Sequence, residues 1–246
     1  MNTLEPEILS AGLYVVATPI GNLSDLTLRA LETLKKVDAI ACEDTRQSLK
    51  LLTHFGIRKP LTSIFGPKEV RETPKIVRWI EEGKSVALMT DAGTPGISDP
   101  GQELVSAVRN SGGKVVPIPG VSALSTILSI SGHSGNGCIF LGFLRRDKGK
   151  IKKELRAAAE SERLIIFYES PHRVLNTLKI VQEIFGDETY CCVAREMTKK
   201  FETYLTGPVA SVLQQLSAGI VKGELTLAIR PKTKKFEPST KTEIPH

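Results

Sequence analysis

Short apolar runs alternate along this chain with longer segments in which apolar residues recur every three or four positions. Such short runs indicate buried strands, whereas the longer period indicates helices. The runs predict strands at residues 13–17, 37–42, 85–89, 114–118, 139–141, 164–168, 190–194 and 225–229. One predicted helix carries Leu104, Val105 and Val108. Another is expected to begin at Thr73 and Pro74, because proline suits the first helical turn.

Strands that alternate with helices predict an α/β fold, here with two α/β domains. The N-terminal domain, residues 1–119, is expected to contain a mainly parallel sheet. The C-terminal domain, residues 120–232, has more strand-like segments per helix, which favours a mixed sheet. The two domains are expected to face each other across a cleft. Residues 233–246 are polar, basic and contain proline, so they are expected to form a flexible tail.

The charge of the chain favours an anionic partner. Its 246 residues carry a formal net charge of +6, with a pI near 9.1, and a basic excess attracts polyanions. Residues 145–156 concentrate this charge, with seven basic side chains against two acidic ones. The segment suits RNA phosphates. The alternative is a solvated helix face.

Cysteine usage and hydropathy predict a cytoplasmic protein. Cys42, Cys138, Cys191 and Cys192 form no CxxC pattern, and no histidines stand at metal-ligand spacing, so reduced core cysteines and no metal site are expected. No apolar run approaches membrane-spanning length, and the first residues lack the apolar core of a signal peptide. No membrane association is therefore expected.

The loop at residues 90–101, with the sequence TDAGTPGISDPG, is the most informative stretch of the chain. It follows a predicted buried strand and is longer than a simple connection requires. Open α/β sheets place ligands at the carboxyl ends of their strands. Residues 91–95 are therefore interpreted as a ligand loop, whereas Asp99 is interpreted as a structural residue, in an Asx-turn or as a cap of the following helix.

Similar mixtures of glycine, hydroxyl, carboxylate and arginine follow other predicted strands, at residues 18–22, 43–46, 119–123, 169–173 and 195–199. Parallel strands bring such exits to one edge of a sheet, so they predict an extended site. The usual nucleotide signatures are missing. No GxGxxG opens the first unit, and the phosphate-loop-like Gly83-Lys84-Ser85 has Arg78 where that motif requires glycine.

Five motifs at these exits are LYVVATPIGNL (13–23), EDTR (43–46), DAGTP (91–95), FYESPHR (167–173) and AREMTK (194–199). Together and in this order they resemble the bacterial small-subunit ribosomal RNA methyltransferase I family, within the tetrapyrrole-methylase fold group. The resemblance implies S-adenosylmethionine as methyl donor and 2′-O-methylation of a cytidine ribose in the decoding region of 16S rRNA in the small ribosomal subunit. It also implies a homodimer whose subunits bind the donor between their two domains.

The resemblance also assigns residues. The donor site would comprise Thr18, Pro19, Gly21, Asp91, Ala92, Gly93, Thr94, Pro95, Ile97, Ser122, Ala123, Tyr168, Thr226 and Leu227. The basic residues expected to contact RNA are Arg46, Arg145, Arg146, Lys148, Lys150, Arg173, Arg195 and Lys199. Two positions depart from the family. Residues 64–68 read IFGPK where a His-x-His-Asn cluster is usual, and Val121 replaces a usual proline.

A ribose hydroxyl that accepts a methyl group must lose its proton, so a carboxylate should stand close to it. Glu43 and Glu169 are the predicted catalytic residues, and the alternative is that they form structural ion pairs with Arg46 and Arg173. Two other functions are compatible with the sequence: a methyltransferase acting on small tetrapyrroles, and a non-catalytic protein that binds RNA or the ribosome.

Overall fold

The structure is a computed structural model that describes residues 9–132, 137–219 and 221–231. The chain divides into two compact units, one up to Ser125 and one from Thr126 onward. The predicted domain boundary at residue 119 lies shortly before this division. The predicted tail, residues 233–246, lies outside the described residues.

The first unit is built on a parallel sheet. Its strands are β1 (Gly12–Val16), β2 (Ala39–Cys42), β3 (Leu61–Ser63), β4 (Ser85–Met89) and β5 (Val115–Ile118). Its helices are α1 (Leu28–Lys36), α2 (Thr45–His54), α3 (Pro67–Glu81) and α4 (Gln102–Asn110), and α5 (Ala123–Ile130) runs across the division. The strands pair in the order β3-β2-β4-β1-β5, with each neighbouring pair parallel. Their carboxyl ends therefore share one edge.

Helices cover both faces of this sheet. Leu34 of α1 and Leu52 of α2 belong to one core, which also contains Met89. Helices α3 and α4 contribute to a second core, which contains Leu88. Adjacent residues of β4 thus enter different cores, because successive side chains of a strand point to opposite faces. Burial on both faces explains why β4 is a continuous apolar run.

The second unit contains a mixed sheet. Its strands are β6 (Cys138–Phe143), β7 (Leu164–Glu169), β8 (Tyr190–Arg195), β9 (Thr203–Pro208) and β10 (Leu225–Arg230). Its helices are α6 (Lys148–Ala159), α7 (Val174–Phe185) and α8 (Val209–Ser217), and each contributes to one core against the sheet. The order is β6-β7-β10-β8-β9; β6 and β7 are parallel, whereas β10 is antiparallel to both of its neighbours. The predicted pair of sheets, one parallel and one mixed, is confirmed.

Two details of the first unit differ from the sequence prediction. Strand β3 was not predicted, because it is only three residues long and polar in part. Helix α3 begins at Pro67, after Gly66 with φ of 56°, so the predicted start at Thr73 and Pro74 is wrong. Pro74 lies inside the helix. The hydrogen bond that Pro74 lacks would have ended at Val70, which is 66% exposed and therefore accessible to water.

The cysteines are free thiols, as predicted. Cys42, Cys191 and Cys192 are buried, whereas Cys138 is only half-buried, so the predicted core position is wrong for Cys138. Burial raises the pKa of the Cys191 thiol above its ordinary value. A buried neutral thiol behaves as a small apolar side chain. None of the helices among the described residues has the length and apolar character needed to cross a bilayer.

Candidate active site

Hydrogen bonds join the loops that follow β1 and β4. Thr18 and Gly93 form an isolated antiparallel bridge, in which the Thr18 N–H donates to the Gly93 carbonyl at 2.8 Å and the Gly93 N–H donates back at 3.0 Å. The Thr18 hydroxyl also donates to the Thr90 carbonyl at 3.1 Å. Thr18 is buried, so its side chain holds the loop in place rather than facing a ligand.

A hydrogen bond also connects the loop after β5 to the loop after β4. The Thr94 hydroxyl donates to the Val121 carbonyl at 3.0 Å. Gly93 has a φ of +77°, which side chains rarely tolerate, and a Cβ there would lie 3.4 Å from the Ile20 side chain. The structure therefore brings together three separate loops that contain residues predicted to bind the methyl donor.

These residues differ in what they present to a ligand. Pro19 and Pro95 are buried, and they stiffen the loops. The exposed or half-buried members of the predicted set are Gly21, Asp91, Ala92, Thr94, Ile97, Ser122 and Ala123. They offer small side chains, backbone polar groups and one carboxylate. Such a surface suits close approach of a polar ligand.

The remaining predicted donor residues belong to the second unit. Tyr168 of β7 and Thr226 of β10 are directly paired across the sheet. The Tyr168 ring has edge contacts with Phe140 and Phe143, at centroid distances of 4.9 and 5.5 Å. The neighbouring residue, Leu227, is completely buried in the helix-covered core and is paired with strands on both sides.

Two carboxylates meet at the exits of β2 and β4, which are adjacent strands. The Asp91 N–H donates to Glu43 Oε2 at 3.3 Å, and the Asp44 N–H donates to Asp91 Oδ1 at 3.2 Å. Burial raises the pKa of Glu43, and the nearby charges of Asp91 and Asp44 raise it further. Glu43 therefore holds a proton more readily than an exposed glutamate does.

An open pocket of about 520 Å³ lies at this edge of the sheet. Its lining consists of Glu43, Asp44, Thr45, Arg46, Ser63, Phe65, Lys68 and Asp91. The Arg46 guanidinium donates to both carboxylate oxygens of Asp44, at 3.1 and 2.7 Å, and holds the pKa of Asp44 down at about 2. The alternative that Glu43 pairs with Arg46 is therefore wrong, because Asp44 takes the arginine and leaves Glu43 facing the pocket.

Asp99 does not cap helix α4, which corrects the interpretation from the sequence. Oε1 of Glu69, on helix α3, accepts hydrogen bonds from the N–H groups of Gly101, Glu103 and Leu104 at 2.9, 3.0 and 3.3 Å. The α4 N-terminus is thus capped from another helix. Asp99 instead lies near the carboxylates; burial, together with the charge of Glu43, raises its pKa to about 6.

The raised pKa of Asp99 makes a testable contribution to stability. Ionisation is harder in the folded state, so the carboxylate lowers the free energy of unfolding as the pH rises from about 4, the unfolded pKa, to about 6. Asp99→Asn removes this effect. A pKa unit corresponds to about 1.4 kcal/mol, and partial exposure reduces the total, so the variant should gain about 1–2 kcal/mol relative to the wild type between pH 4 and pH 8.

Urea denaturation at the two pH values measures this difference. Asp38→Asn is the matched control, since hydrogen bonds from Ser85 lower the pKa of Asp38. That variant should be less stable than the wild type by nearly the same amount at pH 4 and pH 8, because the lowered pKa of Asp38 confines its pH dependence to values below about 4. A gain for Asp99→Asn that does not change with pH would contradict the assignment.

The second predicted catalytic residue, Glu169, is buried and fully occupied. Its Oε1 accepts from the Ser170 N–H at 2.8 Å and lies 3.4 Å from Arg173 Nε, while Oε2 accepts from the Thr177 hydroxyl at 2.7 Å. Arg173 Nη2 in turn donates to the carbonyls of Leu144 and Arg145. Glu169 and Arg173 therefore form the structural ion pair that was the alternative to a catalytic role for Glu169. Their contacts connect the start of α7 to the loop after β6.

Comparison with known proteins supports the motif-based resemblance. A family model for tetrapyrrole (corrin/porphyrin) methylases matches residues 12–213. Ribosomal RNA small subunit methyltransferase I of Bacillus subtilis is 46% identical over 217 residues, covering 88% of this chain and 74% of that protein. The Haemophilus influenzae protein of the same name is 44% identical over 228 residues, covering 92% and 81%. The chain belongs to the ribosomal RNA small subunit methyltransferase I family.

The fold agrees with this family assignment. The crystal structure of the methyltransferase CobJ superposes with a TM-score of 0.68, covering 93% of this chain and 98% of that chain at 16% identity. At that identity the likeness concerns the fold alone. Among residues 9–132, 137–219 and 221–231, no three histidine, cysteine or carboxylate side chains are grouped so as to hold a metal ion.

The basic residues expected to contact RNA fall into two groups in this family member. Arg145, Arg146, Lys148 and Lys150 are exposed around the start of α6, and Lys148 pairs with Glu183 at 3.2 Å. The members of the other group form hydrogen bonds or ion pairs with other residues of the protein; they are Arg46, Arg173, Arg195 and Lys199.

Lys199 in this second group bridges Glu196 and Glu224, at 2.9 and 3.0 Å. The Arg195 guanidinium donates to the Thr203 hydroxyl at 2.9 Å. These contacts order the turn between β8 and β9.

Two pocket residues, Phe65 and Lys68, belong to the stretch 64–68 that departs from the family's usual His-x-His-Asn cluster, but the sequence analysis assigned no role to either. Both follow the unpredicted strand β3, so nothing indicated that they lie beside Glu43. The available signal was Gly66-Pro67, a pair typical of a helix start immediately after Phe65.

Proposed function

We propose that this protein transfers the methyl group of S-adenosylmethionine to the 2′-hydroxyl of a cytidine in the decoding region of 16S rRNA. The observation that carries the proposal is the placement of Glu43, with its raised pKa, in an open pocket beside Asp91 of the glycine-rich loop. Membership of the ribosomal RNA methyltransferase family supports the same substrate.

The joined loops of the first unit fit the donor. Its ribose and amino-acid groups need polar backbone partners at close range, and the exposed Gly21, Asp91 and Ala92 offer them without bulky side chains. Tyr168 and Thr226 are proposed to contribute from the second unit. The donor supplies a methyl group on a positively charged sulfonium, which an oxygen nucleophile attacks in line. Positioning the two reactants accounts for much of the acceleration.

Glu43 is proposed to accept the proton of the ribose hydroxyl. The Asp91 N–H fixes one of its carboxylate oxygens. Burial, together with the charges of Asp91 and Asp44, raises the pKa of Glu43, which improves a general base as long as it remains ionised at the working pH. Asp44 and Arg46 neutralise each other, so the guanidinium stands at the pocket without competing for Glu43.

The exposed basic residues at the start of α6 are proposed to bind RNA phosphates. Such binding weakens as the salt concentration rises, because each phosphate contact releases counterions.

The proposal also includes a homodimer. What supports it is strand β9, an edge strand of the second sheet whose Tyr204 is 42% exposed. Sedimentation velocity of the full chain at several concentrations measures whether it forms a dimer.

Transfer of a radiolabelled methyl group to small ribosomal subunits tests the proposed function. Subunits from a strain that lacks this methyltransferase, and naked 16S rRNA, are offered in parallel, and the labelled nucleotide is mapped. The expected result is label on the ribose of a cytidine. Label in a base would contradict the chemistry. Labelling of a tetrapyrrole instead of RNA would support a small-molecule methyltransferase, and RNA binding without donor binding would support a non-catalytic protein.

Gly93→Val is expected to weaken donor affinity at least about tenfold, or ~1.4 kcal/mol. A β-branched residue does not adopt the φ of +77° found at Gly93, so the loop must move and the bridge to Thr18 is lost. Titration calorimetry with S-adenosylmethionine measures the change.

Gly112→Val is the matched control for this variant. Gly112 has a φ of +78° with no atom near its missing Cβ, and it precedes β5 at the opposite edge of the sheet. The control introduces similar backbone strain away from the donor loops. Equal donor affinities for both variants would refute the role assigned to the loop.

A further inference from the structure

The pocket beside Glu43 carries an exposed aromatic ring. Cys42 of β2 pairs with Ser63 of β3, and the Ile64 N–H then donates to the Cys42 carbonyl at 2.8 Å. Ile64 is completely buried, whereas Phe65 is 62% exposed. Gly66, with φ of 56°, turns the chain directly into helix α3. The fold thus anchors Ile64 and leaves the next side chain in solvent.

Two cations and a carboxylate share the pocket with this ring. Phe65 lines the same pocket as Glu43, Arg46 and Lys68. Lys68 is exposed and forms no ion pair within the part of the chain that the structure describes. The Arg46 side chain is 87% exposed despite its pairing with Asp44. A single exposed apolar side chain needs no occupant by itself. What distinguishes Phe65 is its position in the pocket of Glu43, next to a lysine without an ion-pair partner among the described residues.

A single-stranded nucleotide matches this combination. Bases taken out of a helix stack on aromatic side chains, and their phosphates are held by lysine and arginine. An apolar protein segment would use the ring but would leave Lys68 and the Glu43 carboxylate without partners, whereas Arg46 already pairs with Asp44. A nucleotide uses all of them, because its base, phosphate and ribose hydroxyl are chemically distinct.

We infer that the base of the nucleotide being methylated stacks on Phe65, while Lys68 contacts its phosphate and its ribose lies toward Glu43. The inference rests on the proposed function and assigns the nucleotide subsite within it. Phe65 is a positioning residue in this scheme. It holds the acceptor hydroxyl near the carboxylate and takes no part in proton transfer.

Phe65→Ala and Phe65→Trp test this subsite. The alanine variant should lower kcat/KM for small subunits by about ten- to a hundredfold, the range that one base–aromatic stack accounts for. The tryptophan variant should restore it to within a few fold of wild type. Donor affinity and melting temperature should be unchanged in both, because Phe65 is exposed and lies outside the donor loops.

Val70→Ala is the matched control, since Val70 is a similarly exposed apolar residue of α3 that does not line the pocket. It should behave as the wild type. Equal losses in Val70→Ala and Phe65→Ala, with no rescue by tryptophan, would instead indicate an apolar docking face for protein and would overturn the inference.

A second readout does not depend on activity. RNA substituted with 5-iodocytidine at the mapped target is irradiated in complex with the full chain, and the crosslinked peptide is identified by mass spectrometry. A crosslink at Phe65 supports the inference, whereas an efficient crosslink elsewhere contradicts it. If the wild type transfers no methyl group to RNA, the proposed function fails; if it does and Phe65→Ala is fully active, only the subsite fails.

Discussion

Glu43→Gln is expected to lower kcat for methyl transfer about 10²- to 10⁴-fold, the usual contribution of a positioned general base. The glutamine oxygen still accepts the hydrogen bond that the Asp91 N–H donates to Glu43. The loops should therefore keep their arrangement, and donor affinity should stay close to that of the wild type. Single-turnover kinetics at saturating donor and subunit, together with calorimetry, separate the two effects.

The stability of Glu43→Gln should not fall below that of the wild type. Because the pKa of Glu43 is raised, ionisation of this carboxylate costs folding free energy at neutral pH, and the amide removes that cost. The same shift predicts that wild-type activity declines as the pH falls, beginning above the ordinary pKa of a glutamate. Glu32→Gln, which disrupts only the surface pair with Lys35, is the control. Undiminished kcat in Glu43→Gln would exclude Glu43 as the base.

Glu169→Ala is expected to destabilise the protein by about 3 kcal/mol, near the lower limit for breaking a buried ion pair. The side chain of Glu169 is fully buried, and its removal leaves the Thr177 hydroxyl without its acceptor and the 29%-exposed Arg173 without its carboxylate partner, although Arg173 still donates to two backbone carbonyls. The partial exposure of Arg173 limits the loss. Thermal and urea unfolding followed by circular dichroism measure it.

Glu183→Ala is the matched control for Glu169→Ala, because Glu183 also lies on α7 and pairs with lysines but is exposed. It should have little effect on stability. At a temperature where both variants are folded, kcat of Glu169→Ala should remain within a few fold of wild type. A much larger loss of kcat in a folded Glu169→Ala protein would support the catalytic role that the sequence suggested.

The apolar pattern was sufficient to predict the two-sheet architecture. Strand β4 is a continuous apolar run because it is buried on both faces, and strand β10 is recognisable for a similar reason. Strand β3 was missed because three partly polar residues at a sheet edge leave no periodic signal. Because Phe65 and Lys68 follow β3, they were also left out of the predicted site.

The sequence by itself determined eight of the ten strands that the structure describes, and it missed β3 and β9. It also determined the loops at the carboxyl ends of the predicted strands and, through the motifs in those loops, the family. Only the tertiary structure decided which side chains meet. Residues 43 and 91 meet because they follow β2 and β4, which pair with each other, although α2, β3 and α3 separate the two residues in the chain. It also assigned Arg46 to Asp44 and the α4 cap to Glu69. Apolar periodicity records how each segment is buried, whereas the partners of a carboxylate depend on contacts between residues far apart in sequence.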